Sequence, residues 1–245
     1  MKILKYILVI ATSFVIASCS EDIMDNVNRE QNDALEMDAK NLLPDILLKS
    51  AHETTGNDLA WYATVYVEHS AGTWGQSADA DNRLGQNVSS VFNNAWNRVY
   101  DLLNICKIIL DKTDPENGSE SENYWVRGVA QVVAAYNLAV ATDMWGEIPW
   151  TEACRGSLIL KPKYENQSTI YGHINDLLDD AILNISKSTV VYRDKDFIYG
   201  DLPNDDANKE AWVKAAYSLK ARYHMRLLER NPNASIDALA AIANG

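Results

Sequence analysis

Trp74, Asp81, Asn82 and Arg83 lie within one stretch, Ala71–Gly85, which reads AGTWGQSADADNRLG. Together they bring an aromatic face, a carboxylate, an amide and a guanidinium. Carbohydrate sites use that mixture, since a ring stacks on sugar C–H groups while planar polar side chains hydrogen-bond neighbouring hydroxyls. The stretch is also longer than a packed connection between two helices requires, and an ordinary flexible loop is the alternative reading. Asp79-x-Asp81 begins like a calcium loop, but Ser90 stands where the bidentate glutamate of an EF-hand belongs. His52, His69, His173 and His224 are dispersed, and no H-E-x-x-H, cysteine–histidine zinc, G-x-S-x-G, P-loop or dinucleotide pattern occurs. The chain is therefore read as having no catalytic residue, no metal and no cofactor. A secreted α-helical glycoside hydrolase stays open as an alternative. It needs two carboxylates about 5–10 Å apart across a cleft, and no pair stands out among the many present.

A second chemistry is covalent. Met1–Lys5 is a basic segment, Tyr6–Ala17 is apolar, and Ser18 leads into Cys19. An apolar run this short falls below the ~20 residues of a spanning helix. The order resembles a bacterial lipoprotein signal, with its lipobox at Ile16–Cys19. The resemblance implies cleavage before Cys19 and acylation of that cysteine, palmitate included. Residues 1–18 are then a signal peptide. The mature protein is held to a membrane by lipid, without a transmembrane helix. Residues 19–38 are acidic and without apolar periodicity, which reads as a tether. Acidic residues directly after the lipid cysteine also resemble the surface-export signal of Bacteroidetes lipoproteins.

The 245 residues carry 22 basic and 34 acidic side chains, a net charge of −12. Loss of Lys2 and Lys5 with the signal takes this to about −14. Such a charge repels nucleic acid and anionic headgroups, so nucleic acid is excluded as a partner. Of three cysteines, Cys106 and Cys154 remain once Cys19 is acylated. An oxidising compartment permits a bridge, but Cys106 sits on an apolar stripe and is read as a buried free thiol.

The elements that must position these residues are helices. Val88, Phe92, Ala95, Val99, Leu102, Cys106 and Ile109 recur in steps of three and four, one face of a helix stopped by Asp114-Pro115. Asn117-Gly118 makes a turn, and Ser119 with Glu122 has capping-box spacing ahead of a stripe Trp125, Val129, Val132, Tyr136, Ala139. A third stripe runs Ile170, Ile174, Leu177, Ala181, Ile185, with Ser168 as N-cap. A fourth runs Trp212, Ala216, Leu219, Tyr223, Leu227, and Ser235 caps a last short helix. Weaker helical patterns cover 38–54 and 58–70, while 158–160 and 189–192 suit short extended pieces. The small residues of Val126–Val140 permit close helix approach. The fold class is all-α, of paired helical hairpins with long loops, over residues 39–245.

Three stretches, in order, resemble the SusD/RagB group of outer-membrane nutrient-binding lipoproteins, in its second SusD-like branch. The first runs from Ala130-Gln131 through Thr142-Asp143-Met144-Trp145-Gly146-Glu147-Ile148-Pro149-Trp150-Thr151-Glu152-Ala153. Trp145 stands where the family pattern has Tyr, and Glu147 where it has Asp. The second is Pro162-x-Tyr164 with Gln167, Ile170 and Tyr171. The third is Trp212-Val213-Lys214-Ala215-Ala216-Tyr217-Ser218-Leu219-Lys220-Ala221-Arg222, with Tyr217 in place of Asn. The resemblance implies a tetratricopeptide-like scaffold, apparently truncated at its C-terminus. It implies a non-catalytic surface lipoprotein of the bacterial outer membrane, binding an oligosaccharide or peptide and passing it to a SusC-like TonB-dependent transporter. A helical-repeat adaptor for outer-membrane assembly is the further alternative. Gly146 and Pro149 are read as helix terminators. Trp145, Trp150 and Trp212 are read as packing residues, and Arg222 and Arg226 as buried ion-pair partners for Asp143, Glu147 or Glu152.

Overall fold

The structure, a computed structural model, describes residues 37–84 and 92–245. The signal segment, Cys19, the tether as far as Glu36, Gly85 and Val88 lie outside them. Residues 38–245 form one compact unit. Among the described residues there are eight α-helices: α1 (Ala39–Lys49), α2 (Asp58–Tyr66), α3 (Gly75–Asp81), α4 (Asn93–Lys112), α5 (Tyr124–Trp145), α6 (Gln167–Lys187), α7 (Asp205–Arg226) and α8 (Ala234–Asn244). A π-helical turn, Ser50–Thr55, extends α1. None of these helices is long and apolar enough to cross a membrane. The stretches 158–160 and 189–192 form no strand. A 3₁₀ turn at Gly156–Leu158 overlaps the first only at Leu158, and another at Arg193–Lys195 follows the second. The sole β-bridge among the described residues is antiparallel, Ile148 to Glu165.

Successive helices stack on one another, α4 on α5, α5 on α6, α6 on α7 and α7 on α8. This is the arrangement of helical-hairpin repeats, in which each pair buries the apolar face of the next. α5 is the centre. It is buried almost all round, from Trp125 and Val126 to Ala141 and Thr142, and not along one stripe. Its small residues explain this. A Cβ on Gly128 would stand 2.5 Å from Ile185 Cγ1 and 3.1 Å from Ala181 O, so α6 approaches to the backbone itself. Polar residues inside this packing are paired. Asn184 Nδ2 donates to Gln131 Oε1 at 2.9 Å, and Asn137 Nδ2 to Ser50 Oγ at 2.9 Å, stapling the π turn to α5.

Helix starts differ from the expectation. Ser235 does not cap α8 but lies inside it, behind Asn233 at the N-cap position. α6 begins two residues earlier than Ser168 requires: Asn166 is the N-cap, and its Oδ1 accepts from Thr169 N at 2.9 Å. Ser119 and Glu122 form no capping box, since α5 starts only at Tyr124. Glu120 acts instead, accepting from Ala39 N at 2.9 Å and tying α1 to this turn. Gly146 has φ +75°, so the conformation that stops α5 is one that favours glycine.

Candidate functional site

Where α5 ends, Gly146 turns the chain into Glu147–Thr151, and the bridge from Ile148 to Glu165 brings Tyr164 back beside it. The turn is held from two sides. Glu165 accepts from Trp150 N (3.0 Å), Thr151 N (2.6 Å), Thr151 Oγ1 (3.0 Å) and His173 Nε2 (2.8 Å). Burial raises its pKa, but the hydrogen bonds, led by that from Thr151 N, outweigh this and hold the carboxyl below the ordinary range. From the other side, Lys107 of α4, 6% exposed, donates to the carbonyls of Trp150, Thr151 (3.2 Å) and Ala153 (2.8 Å). Its ammonium also lies 4.5 Å from the centre of the Trp150 ring. Desolvation lowers the Lys107 pKa, and the three carbonyls take all three of its donors.

On this support stands a cluster of rings. Trp96 and Tyr100 project from α4 at i and i+4, off its buried stripe, with centroids 4.7 Å apart. Trp145 meets Trp96 edge-on at 5.2 Å. Tyr164 lies at 6.4 Å from Trp96 with planes within 12°, and is 61% exposed. Tyr100 is fixed by its hydroxyl, which donates to Pro149 O at 2.8 Å. Two open cavities flank the Trp96–Tyr164 pair. One, of about 520 Å³, is walled by Tyr100, Pro149, Ala153, Cys154, Lys161 and Pro162. The other, of about 350 Å³, is walled by Phe92, Asn93, Asn97, Trp145 and Glu147. Aromatic faces beside amides and hydroxyls suit the alternating C–H and O–H surfaces of a sugar ring.

The residues singled out from sequence occupy the adjoining α2–α3 segment. Trp74 is the N-cap residue of α3 and is 87% exposed. Asp81 is half-buried at the helix end. Asn82 Nδ2 donates to Ala78 O at 2.8 Å, and Arg83 donates to Ala80 O, Asp81 O and Tyr66 O while lying over the Tyr66 ring. Tyr66 and Tyr62 in turn pack on Phe92, a wall of the second cavity. An aromatic seam thus runs from Arg83 to Phe92, which lines the second cavity together with Trp96. Sequence reasoning missed Trp96 and Tyr100, whose signal is an aromatic i, i+4 pair on the polar side of an amphipathic helix. Tyr164 was legible only as part of a motif.

Trp150 and Trp212 are packing residues, 8% and 3% exposed. Trp212 Nε1 donates to the buried Asp196 at 2.7 Å, which also accepts from Asn208 Nδ2, Ile198 N and Tyr199 N. Trp145 is half-buried and belongs to the ring cluster. Arg226 pairs with Asp143, which also accepts from the Tyr171 hydroxyl at 2.6 Å. That pair is partly solvated, with side chains 40% and 27% exposed, and not buried as expected. Arg222 borders instead an apolar groove of about 890 Å³ between α1, α5 and α7, lined by Leu47, Val132, Val133, Ala215 and Leu219. Cys106 and Cys154 are both free thiols, and burial raises the pKa of each.

No curated protein matches the chain. Among solved structures, a SusD/RagB family protein from Bacteroides thetaiotaomicron VPI-5482 aligns with 34% identity and a TM-score of 0.76, over 85% of this chain and 43% of its own. A SusD-like protein from the same organism aligns at 19% identity and TM-score 0.65, over 85% and 42%. A chitin-binding SusD homolog from Flavobacterium johnsoniae aligns at 17% and 0.63, over 84% and 42%. The chain therefore spans less than half the length of these relatives. The SusD-like family model, described as starch-binding and associating with the outer membrane, matches residues 31–245, and the chain belongs to that family.

Proposed function

We propose that this protein is a non-catalytic glycan receptor, held through Cys19 on the outer face of a bacterial outer membrane, that passes its ligand to a SusC-like TonB-dependent transporter. The observation that carries the reading is the ring cluster of Trp96, Tyr100, Trp145 and Tyr164, set on a rigid helical scaffold and flanked by two open bays. A chitin-binding homolog with the same fold supports a sugar ligand. On this reading the exposed Trp74, with Asp81, Asn82 and Arg83, also contacts the ligand, and Asn82 and Arg83 clip their own segment in place. Among the described residues lining the two bays, Glu147 is the single carboxylate, whereas hydrolysis by the usual mechanism takes two. A lipid anchor shared with the transporter's membrane raises effective concentration and tolerates weak ligand affinity.

Binding of immobilised oligosaccharides tests the glycan half. Trp96→Ala and Tyr164→Ala each lower affinity by about tenfold, the ~1.4 kcal/mol expected of a stacked aromatic anchor. Retained affinity in both variants contradicts the site. For the delivery half, the mature lipoprotein copurifies with an outer-membrane transporter, and its absence from every such complex refutes delivery. Protease accessibility on intact cells separates this receptor from a periplasmic assembly adaptor.

A further inference from the structure

We infer that the glycan bound at the ring cluster is anionic, with its carboxylate or sulfate group seated in the bay beside Lys161. The inference rests on the glycan-receptor reading above and names the substrate class of that site. Lys161 is the sole charged side chain lining the 520 Å³ bay. It is exposed, and among the described residues it enters no ion pair or hydrogen bond. The other cations of the same loop are occupied. Arg155 pairs with Asp111 at 2.7 Å, and Lys163 with Glu152 at 3.6 Å. Two neighbouring carboxylates are occupied too: Glu165 accepts four hydrogen bonds from Trp150, Thr151 and His173, and Glu152 Oε2 accepts from Lys163 N, while Asp101 lies within electrostatic reach of the lining Cys154 and stands as the one competing charge.

Behind the bay wall lies a second cation. Lys107 bonds the carbonyl of Ala153, itself a lining residue, from within the protein. A sugar stacked on Trp96 and Tyr164 therefore meets one unpaired ammonium at the rim, while the buried Lys107 acts only as a positive charge behind the wall. On the far side of the same rings the sugar meets Glu147, Asn93 and Asn97. The two bays thus have opposite polarity, and an acidic substituent is favoured in only one. The net charge of −12 opposes this only weakly, because exposed charges beyond about 8–10 Å are screened at physiological ionic strength.

The test is binding of the mature protein to immobilised neutral, uronate-containing and sulfated oligosaccharides, at low and high salt. Acidic members are expected to bind, with uronate and sulfate arms identifying the group. Lys161→Met is expected to lower that affinity by about tenfold and to flatten its salt dependence, while Lys161→Arg restores both. Lys161 is exposed, so neither change disturbs folding. Binding of neutral oligosaccharides that depends on Trp96 and Tyr164 but not on Lys161 overturns the anionic class and leaves the receptor intact. Binding unaffected by Trp96→Ala, or no binding to any class, overturns the receptor site as well.

Discussion

Glu165 and Lys107 hold the same turn with opposite charges, and each makes a distinct prediction. The folded-state pKa of Glu165 lies below its ordinary 4.5. Its contribution to stability is therefore complete above that value and is lost as pH falls through the lower folded value. Urea titrations between pH 6 and pH 3 should show this acid limb, and Glu165→Gln should flatten it while costing about 1–2 kcal/mol near neutrality. Lys107→Met removes three donors at once and strands buried carbonyls of Trp150 and Ala153. A loss of about 2–4 kcal/mol is expected in the same titrations. Neither role is legible in the sequence. Lys107 is one residue past Cys106 on an amphipathic helix and looks solvent-facing until the 148–154 turn is laid over it. Glu165 and Thr151 become neighbours only through the Ile148–Glu165 bridge.

At the scale of helices, the closest packing is between α5 and α6 at Gly128. Gly128→Val should push Ile185 aside and cost about 1–3 kcal/mol, read by thermal unfolding, whereas Gly172→Ala, which meets nothing within 4 Å, should be tolerated. The helices themselves were plain in the sequence. Stripes such as Ala95, Val99, Leu102, Cys106 and Ile109 are all buried, because the period of apolar residues reports the face that packs. Ends were less plain. Asn166 and Ser168 are both capable N-caps, and the choice between them follows from where the returning chain leaves Glu165, a non-local contact. The stripe Trp125, Val129, Val132, Tyr136, Ala139 marked α5 as a helix but not as the centre of the stack, because residues off the stripe, such as Ala130 and Val133, are buried as well.

At the scale of the whole molecule, stacked hairpins make a rigid base, and the ring cluster gathers at one α5 end from three segments far apart in sequence. The family motif around Trp145-Gly146 marked that end, but not that Trp96 and Tyr164 would meet there. Such gathering needs the tertiary fold. The most direct measurement is oligosaccharide binding by the mature protein beside its Trp96→Ala/Tyr164→Ala double variant, with circular dichroism confirming an unchanged helical fold. Saturable binding by the unsubstituted protein, with no cleavage of the sugar and a loss of at least about tenfold in the variant, is the predicted result. Equal affinity in the two proteins, or release of shortened sugar, would contradict a non-catalytic receptor built on this surface.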